Sequence, residues 1–195
     1  MSAAAARPVW AGGWWRNARA VPSPNFGARS DGVAVSLVVV HSISLPPGRY
    51  GGPDIERLFT NTLDCDSDPY YDGLRGLRVS AHFLIRRDGR IVQFVSCDDR
   101  AWHAGVSSWR GRESCNDFSI GIELEGLEGL AFDDPQYRAL ASTLRALRLS
   151  YPVVEVVGHE HVAPLRKHDP GSEFDWARLR DQLRRKLPRL WPALG

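Results

Sequence analysis

The sequence predicts a single α/β domain of the α+β type, in which one mixed β-sheet is flanked by helices. Three observations support this prediction. Apolar β-branched runs and amphipathic segments intermix without strict βαβ alternation. The dipeptide Asp88-Gly89 separates two apolar runs, which is a strong signal for an antiparallel hairpin. The 195 residues are 43% hydrophobic, enough for one sizeable core, and no linker-like tract divides them.

The N-terminus is predicted to be a flexible segment and not a targeting signal. Residues 1–12 include an alanine run but no apolar stretch of signal-peptide length, and residues 13–190 are predicted to form the domain. No run approaches the length of a transmembrane helix. We therefore expect a cytoplasmic protein without a membrane partner. From Trp14 to Pro24 we expect an extended arm that places aromatic side chains on the domain.

The first half of the domain is predicted to contain a central strand, a helix and a hairpin. Leu37 to Val40 is an apolar β-branched run that predicts a buried strand ending in His41. Residues 54–63 carry apolar side chains at helical spacing, with a proline just before them. Residues 64–76 are predicted to form a polar loop. The hairpin then spans residues 79–95.

The second half adds two strands and two helices. Residues 118–124 predict a strand, and Asp134 is predicted to cap a helix that continues to about Ser150. The run at residues 153–157 reads as a second buried strand. The last predicted helix covers residues 175–187, with a basic C-terminal end where cations are favoured.

Charge and cysteine content indicate which partners and which redox compartment to expect. The chain has 25 basic and 23 acidic residues, a formal net charge of +2, with no basic block and no nucleic-acid-binding motif. We expect no nucleic-acid partner and predict a monomer. The three cysteines stand at unpatterned spacings, which suits a reducing compartment and not a disulfide framework.

The loop at residues 158–171 concentrates the chemistry of the chain. It follows a predicted strand and holds three histidines, a lysine and two potential carboxylate ligands. A solvated His-rich loop is the alternative interpretation. His41, at the end of another predicted strand, favours a metal site, because with His159 and Asp169 it supplies two nitrogens and one oxygen. The open fourth position is typical of catalytic zinc. His161, two residues after His159, remains an alternative ligand.

Five motifs, in order along the chain, resemble those of the zinc N-acetylmuramoyl-L-alanine amidases. The motifs are His41-Ser42-Ile43-Ser44-Leu45-Pro46-Pro47, Ser80-Ala81-His82-Phe83-Leu84-Ile85, Trp102-His103-Ala104-Gly105, the segment from Asn116 to Gly126, and Gly158-His159 with Ala163-Pro164, Arg166-Lys167 and Asp169-Pro170-Gly171. One motif alone would be weak, but their agreement from about Gly13 to the last helix is specific. The resemblance implies an amidase-like fold.

The resemblance also implies functions for individual residues. Zinc, one ion per chain, would be bound by His41, His159 and Asp169. Glu123 would act as the catalytic acid/base, Lys167 would stabilise the transition state and Tyr70 would assist. Glu125 would lie on the same sheet face as Glu123, so one of the two is expected to be structural. The positions that contact substrate would be Ser42, Arg78, Trp102, His103 and Ala104. The family often has Asn at the position of Ser42, so an amide donor near the metal is lost here.

Together these features imply hydrolysis of the amide between the lactyl group of 1,6-anhydro-N-acetylmuramic acid and L-alanine. The partners would be small soluble anhydro-muropeptides, met during cytoplasmic recycling of the cell wall, and their clearance would indirectly limit β-lactamase induction. Two alternatives stay open at this stage. The chain could act on intact peptidoglycan, or it could be a recognition module that binds peptidoglycan without cutting it.

Overall fold

The computed structural model describes residues 9–184 of the chain. Its α-helices are α1 (Asp54–Phe59), α2 (Asp134–Ser150), α3 (His159–Val162) and α4 (Trp176–Arg184). Its strands are β1 (Trp10–Ala11), β2 (Trp14–Trp15), β3 (Arg19–Ala20), β4 (Phe26–Gly27), β5 (Leu37–Ile43), β6 (Phe83–Ile85), β7 (Ile91–Gln93), β8 (Arg100–Ala101), β9 (Ser108–Trp109), β10 (Arg112–Glu113), β11 (Ser119–Glu125) and β12 (Glu155–Gly158). Two 3-10 helices cover Pro69–Leu74 and Cys115–Asp117.

A six-stranded mixed sheet organises the fold, which confirms the predicted class. Its strand order is β12-β5-β11-β6-β7-β3. The strands β12, β5, β11 and β6 run parallel to one another, whereas β7 is antiparallel to β6. The carboxyl ends of the four parallel strands therefore meet at one edge, where ligand sites of such sheets usually form.

The two faces of the sheet differ in chemistry. One face packs Val38 and Val40 with Ile120 and Ile122 against the apolar sides of α2 and α4. Because successive residues of a strand point to opposite faces, Val39 and His41 lie on the other face. The parallel register pairs Glu123 directly with His41, so these two polar side chains share that second face near the carboxyl edge.

Several local predictions are confirmed and others need correction. The hairpin forms as predicted, with Ile85 opposite Ile91. The first helix ends at Phe59 instead of Leu63, because Asn61 adopts a positive φ of 60° that a helix cannot continue through. The N-cap of α2 is Asp133, not Asp134, and its backbone N–H donates to Oε1 of Gln136 at 3.0 Å.

The arm predicted at residues 14–24 does more than carry aromatic side chains. Trp15 is buried against Phe83 in an edge-on contact, as expected. In addition, β3 pairs with β7 and so becomes an edge strand of the main sheet, which the sequence did not reveal. Trp10, inside the segment predicted to be flexible, stacks on Trp15.

The predicted ends of the domain lie partly outside the described residues. This applies to residues 1–8 and to the segment 185–195, which includes the end of the last predicted helix. The boundaries at residues 12 and 190 therefore stay predictions. None of the helices between residues 9 and 184 is long and apolar enough to cross a membrane.

Candidate active site

Three elements bring the predicted metal ligands together. His41 lies within β5, not at its end, and points to the polar face of the sheet. His159 is the first residue of α3, directly after β12. Asp169 follows in the next loop, and its backbone carbonyl accepts a hydrogen bond of 2.9 Å from the N–H of Glu160. This bond fixes the loop beside the start of α3.

The three side chains face one another closely. Nδ1 of His41 lies 3.0 Å from Nδ1 of His159, and both nitrogens lie 3.1 Å from Oδ2 of Asp169. All three residues are buried. Ligands of a tetrahedral zinc ion, with bonds of about 2.0 Å, stand about 3.3 Å apart. The observed triangle therefore fits a zinc-sized ion after a shift of a few tenths of an ångström.

Charge and hydrogen bonding also suit a metal. Burial lowers the pKa of His41 to about 4, although the nearby carboxylate of Asp169 acts in the opposite direction, so the ring is neutral near pH 7. Burial alone would raise the pKa of Asp169, but the adjacent imidazoles of His159 and His41 outweigh this effect and lower that pKa. Nε2 of His159 lies 3.1 Å from the carbonyl oxygen of Ala104, which can only accept. The proton of a neutral His159 is thus on Nε2, and Nδ1 has a free lone pair for a cation.

Glu123 stands beside this cluster and has a carboxylate oxygen with no hydrogen-bond partner among the described residues. It is 9% exposed, and its Oε2 is buried without a hydrogen bond to any described residue. Burial, followed by the charge of Asp169, raises the pKa of Glu123 well above its ordinary value, while Lys167 acts in the opposite direction. A carboxyl group with a raised pKa is suited to accept and return a proton near neutral pH.

The predicted site residues mostly line one cleft of about 540 Å³. The cleft includes the three ligand side chains and the further predicted residues Glu123, Lys167, Tyr70, Ser42, Trp102 and His103. Ala104 is buried beneath it and uses its carbonyl group toward His159. Arg78 instead lines a neighbouring groove of about 340 Å³, which shares Leu58, Leu74 and Leu77 with the cleft. The assigned catalytic and substrate contacts themselves stay predictions.

Of the three remaining histidines, His161 and His82 make structural hydrogen bonds, whereas His168 lies in the cleft. Nδ1 of His161 accepts a hydrogen bond of 2.8 Å from the N–H of Gly158, so His161 fixes the start of α3 and lies outside the ligand cluster. His168 lines the cleft. His82 is fully buried, and its Nδ1 accepts from the N–H of Gly121 at 3.0 Å. It is a hydrogen-bonded structural residue.

Sequence reasoning missed one cation at the rim of the cleft. Nη2 of Arg166 donates to the carbonyl oxygens of Ala104 and Val106, both at 2.8 Å. It therefore ties the loop between α3 and Asp169 to the loop that follows Trp102. The position of Arg166 next to Lys167 in the His-rich loop was the available signal, but its partners are far away in the chain, with separations of 62 and 60 residues.

A buried His-His-Asp triangle at the carboxyl ends of parallel strands, beside a carboxyl oxygen with no partner among residues 9–184, is the arrangement of a metal-dependent hydrolase. Comparison with known proteins narrows this class. The family model described as N-acetylmuramoyl-L-alanine amidase matches residues 31–172. The chain belongs to this family, which is zinc-dependent in general.

Individual relatives support the assignment. The chain is 59% identical to the 1,6-anhydro-N-acetylmuramyl-L-alanine amidase AmpD of Citrobacter freundii over 170 residues, which cover 86% of this chain and 91% of the relative. A crystal structure of a selenomethionine derivative of AmpD matches with a TM-score of 0.87 and 57% identity, covering 89% of this chain and 98% of that one.

A more distant solved structure includes a bound substrate. It is the N-acetylmuramyl-L-alanine amidase AmiD from E. coli in complex with anhydro-N-acetylmuramic acid-L-Ala-D-γ-Glu-L-Lys. The match has a TM-score of 0.57 and 30% identity, and it covers 79% of this chain and 60% of that one.

Proposed function

We propose that the protein is a zinc-dependent amidase that cleaves the amide between the lactyl group of 1,6-anhydro-N-acetylmuramic acid and L-alanine. One zinc ion per chain would be held by His41, His159 and Asp169. The observation that carries the proposal is the triangle of ligand atoms, 3.0–3.1 Å apart, next to the unpaired Glu123. When bound, zinc supplies an activated water and polarises the substrate carbonyl.

The chain's own residues would supply the remaining steps. Glu123 takes a proton from the attacking water on its free Oε2 and passes it to the leaving nitrogen. Lys167 lies close enough to influence the pKa of both Glu123 and His41, so its charge can stabilise the developing oxyanion. Tyr70, about half exposed on its 3-10 helix, stands at the rim of the same cleft.

The substrate class follows from the relatives and from the cleft. AmpD is named for the anhydro sugar, and AmiD was solved with an anhydro-muropeptide bound. The cleft offers apolar surface from Leu45, Leu74 and Leu127 in addition to the polar ligand cluster. Such a surface suits a compact sugar ring with a short stem peptide. We propose that soluble anhydro-muropeptides of the cytoplasm are the substrates; a monomeric state remains a prediction.

Mass spectrometry of anhydro-muropeptides, incubated with the pure protein, tests the activity. We expect release of the stem peptide, which stops when a chelator removes the metal and returns when zinc is added. Intact sacculi and reducing-end muropeptides at matched stem concentration provide the specificity comparison. Equal cleavage of all three substrates would contradict the anhydro preference, and binding without cleavage would indicate a recognition module.

Metal analysis tests the ligand set separately from activity. We expect one zinc per chain in the wild type, and its loss in His159→Ala. His161→Ala is the matched control, because it removes a neighbouring imidazole that accepts from the N–H of Gly158 and lies outside the ligand cluster. Zinc retained in His159→Ala but lost from His161→Ala would require a different ligand assignment.

A further inference from the structure

The second nitrogen of His41 makes a contact that the proposed reaction does not use. Nε2 of His41 lies 2.9 Å from Nδ1 of His103, with the two rings nearly perpendicular at 83°. On its far side, Nε2 of His103 lies 3.2 Å from Oγ of Ser119. The hydroxyl of Ser119 lies in turn 2.6 Å from the carbonyl oxygen of Cys115.

The direction of every hydrogen bond in this series is determined by its last member. A carbonyl oxygen can only accept, so the hydroxyl of Ser119 donates to Cys115. Ser119 then has only lone pairs for His103, and Nε2 of His103 must donate to it. In a neutral ring this leaves Nδ1 of His103 as an acceptor, so Nε2 of His41 must donate in its turn. The lone pair of His41 is thereby fixed on Nδ1, which faces His159 and Asp169.

The position of His103 is fixed from two further sides. Oδ1 of Asn116 accepts from the backbone N–H groups of His103 and Ala104, at 3.1 and 2.8 Å. The ring of His103 lies against Gly121, where a Cβ added to the glycine would stand only 2.4 Å from the ring. Only glycine at this position of β11 leaves room for the imidazole. Gly121 of β11 and Asn116 of the second 3-10 helix thus hold the acceptor nitrogen of His103 next to Nε2 of His41.

We infer that His103 is a positioning residue that selects the metal-binding tautomer of His41, with Ser119 setting its own tautomer. The inference rests on the proposed zinc site. His103 then acts on the metal ligand His41, a function distinct from the substrate contact expected from the sequence. Outer partners of metal-bound histidines typically contribute about 10–100-fold to metal affinity.

Two substitutions of His103 separate hydrogen bonding from packing. His103→Phe fills the space but presents no acceptor to His41, whereas His103→Asn is smaller but can place an amide oxygen near the position of Nδ1. Ser119→Ala removes the group that sets the tautomer of His103. Ser96→Ala is the matched control, because this buried serine donates to the carbonyl of Gly12 at 2.9 Å away from the site.

Zinc affinity is measured by competition with a chromophoric chelator, and the tautomer of His41 by the ¹⁵N shifts of its ring in NMR spectra. We expect zinc to bind about 10–100-fold more weakly in His103→Phe and about 10-fold more weakly in Ser119→Ala. His103→Asn should recover most of the affinity and Ser96→Ala should retain all of it. In the wild type, His41 should bear its proton on Nε2.

The outcomes distinguish this inference from the proposed function. A wild type that binds no zinc would overturn both. Tight zinc binding by the wild type, together with unchanged affinity in a folded His103→Phe, would overturn the inference alone. If His103→Phe does not fold, unchanged affinity in Ser119→Ala would overturn it equally, as would a proton found on Nδ1 of His41 in the metal-free wild type.

Discussion

Two glutamates on one strand have opposite surroundings. Glu123 and Glu125 are two residues apart on β11, so both side chains point to the same face of the sheet. Glu125 is 1% exposed and accepts hydrogen bonds from Arg86 at 2.6 Å, from the N–H of Gly51 at 2.7 Å and from the N–H of Arg87 at 3.1 Å. Glu123, which is also buried, has a carboxylate oxygen with no partner among the described residues.

The difference separates a structural carboxylate, Glu125, from the carboxylate that we propose to be catalytic, Glu123. The donors around Glu125 stabilise its charge. Through these hydrogen bonds, Glu125 holds the hairpin and the loop before α1 in place. No donor among residues 9–184 reaches Oε2 of Glu123, which destabilises the charge of Glu123 and keeps lone pairs free for a water proton. A buried carboxylate that lacks hydrogen-bond donors and lies beside a cluster of possible metal ligands is therefore the stronger candidate for catalysis.

The largest expected effect concerns Glu123. Glu123→Gln should lower kcat by about 10²–10⁴-fold, because it removes general acid–base help. Zinc content should stay at the wild-type value. Since no hydrogen bond is lost at Oε2, the free energy of unfolding should be unchanged or higher. Steady-state kinetics, metal analysis and urea unfolding check the three expectations. Full activity in Glu123→Gln with none in Glu125→Gln would move the assignment by two residues.

Glu125→Gln should have the opposite effect, lowering stability while leaving catalysis nearly unchanged. We expect a loss of about 3 kcal/mol in the free energy of unfolding, the lower end of the range for breaking a buried pair, since Arg86 keeps its second partner Glu56 at 2.8 Å. The kcat of the folded fraction should change little. Glu113→Gln, at an exposed strand end, is the control and should stay within about 0.5 kcal/mol of the wild type. Equal stability of both variants would contradict the anchoring function of Glu125.

His82, unlike Glu123, is a buried titratable residue whose ring nitrogens both have hydrogen-bond partners. Burial, reinforced by the charge of Arg29, lowers the pKa of His82 to about 3, whereas the unfolded chain has an ordinary value near 6.5. Between these values the unfolded state binds more protons, so this contribution to stability is present above pH 6.5 and is lost as the pH falls. From pH 7 to pH 5 the wild type should lose about 2 kcal/mol more than His82→Asn. An equal loss in the free energy of unfolding from pH 7 to pH 5 in the wild type and in His82→Asn would refute this prediction.

The smallest expected effect separates Tyr70 from its neighbour Tyr71. Tyr70→Phe removes the hydroxyl of a half-exposed tyrosine that lines the cleft, and kcat/KM should fall only about 3–10-fold, the value of one ordinary hydrogen bond. Tyr71→Phe removes a hydroxyl that donates to Asp54 at 2.9 Å, and it should lower stability without changing kcat/KM. A loss of activity in Tyr71→Phe at unchanged stability would reverse the assignment of the two tyrosines.

The sequence by itself determined the main strands and helices and the types of side chain at the site. The apolar runs located β5, β11 and β12, Asp88-Gly89 located the hairpin, and the motifs around His41 and His159 pointed to the ligand set. These features depend on residues close together in the chain, where periodicity and turn preferences act directly. They correctly predicted a mixed sheet with a ligand cluster.

Only the tertiary structure decided which groups are compensated and by what. The pattern placed Glu123 and Glu125 on one face, but the donors of Glu125 come from Arg86 and Gly51, 39 and 74 residues away. The partner of Nε2 of His41 is Nδ1 of His103, 62 residues away. A hydrogen bond forms or fails within a few tenths of an ångström. Sequence periodicity specifies the direction of a side chain but not the distance to partners on other segments. The hydrogen-bond partners of Glu125 and His41 are therefore determined only when those segments pack together.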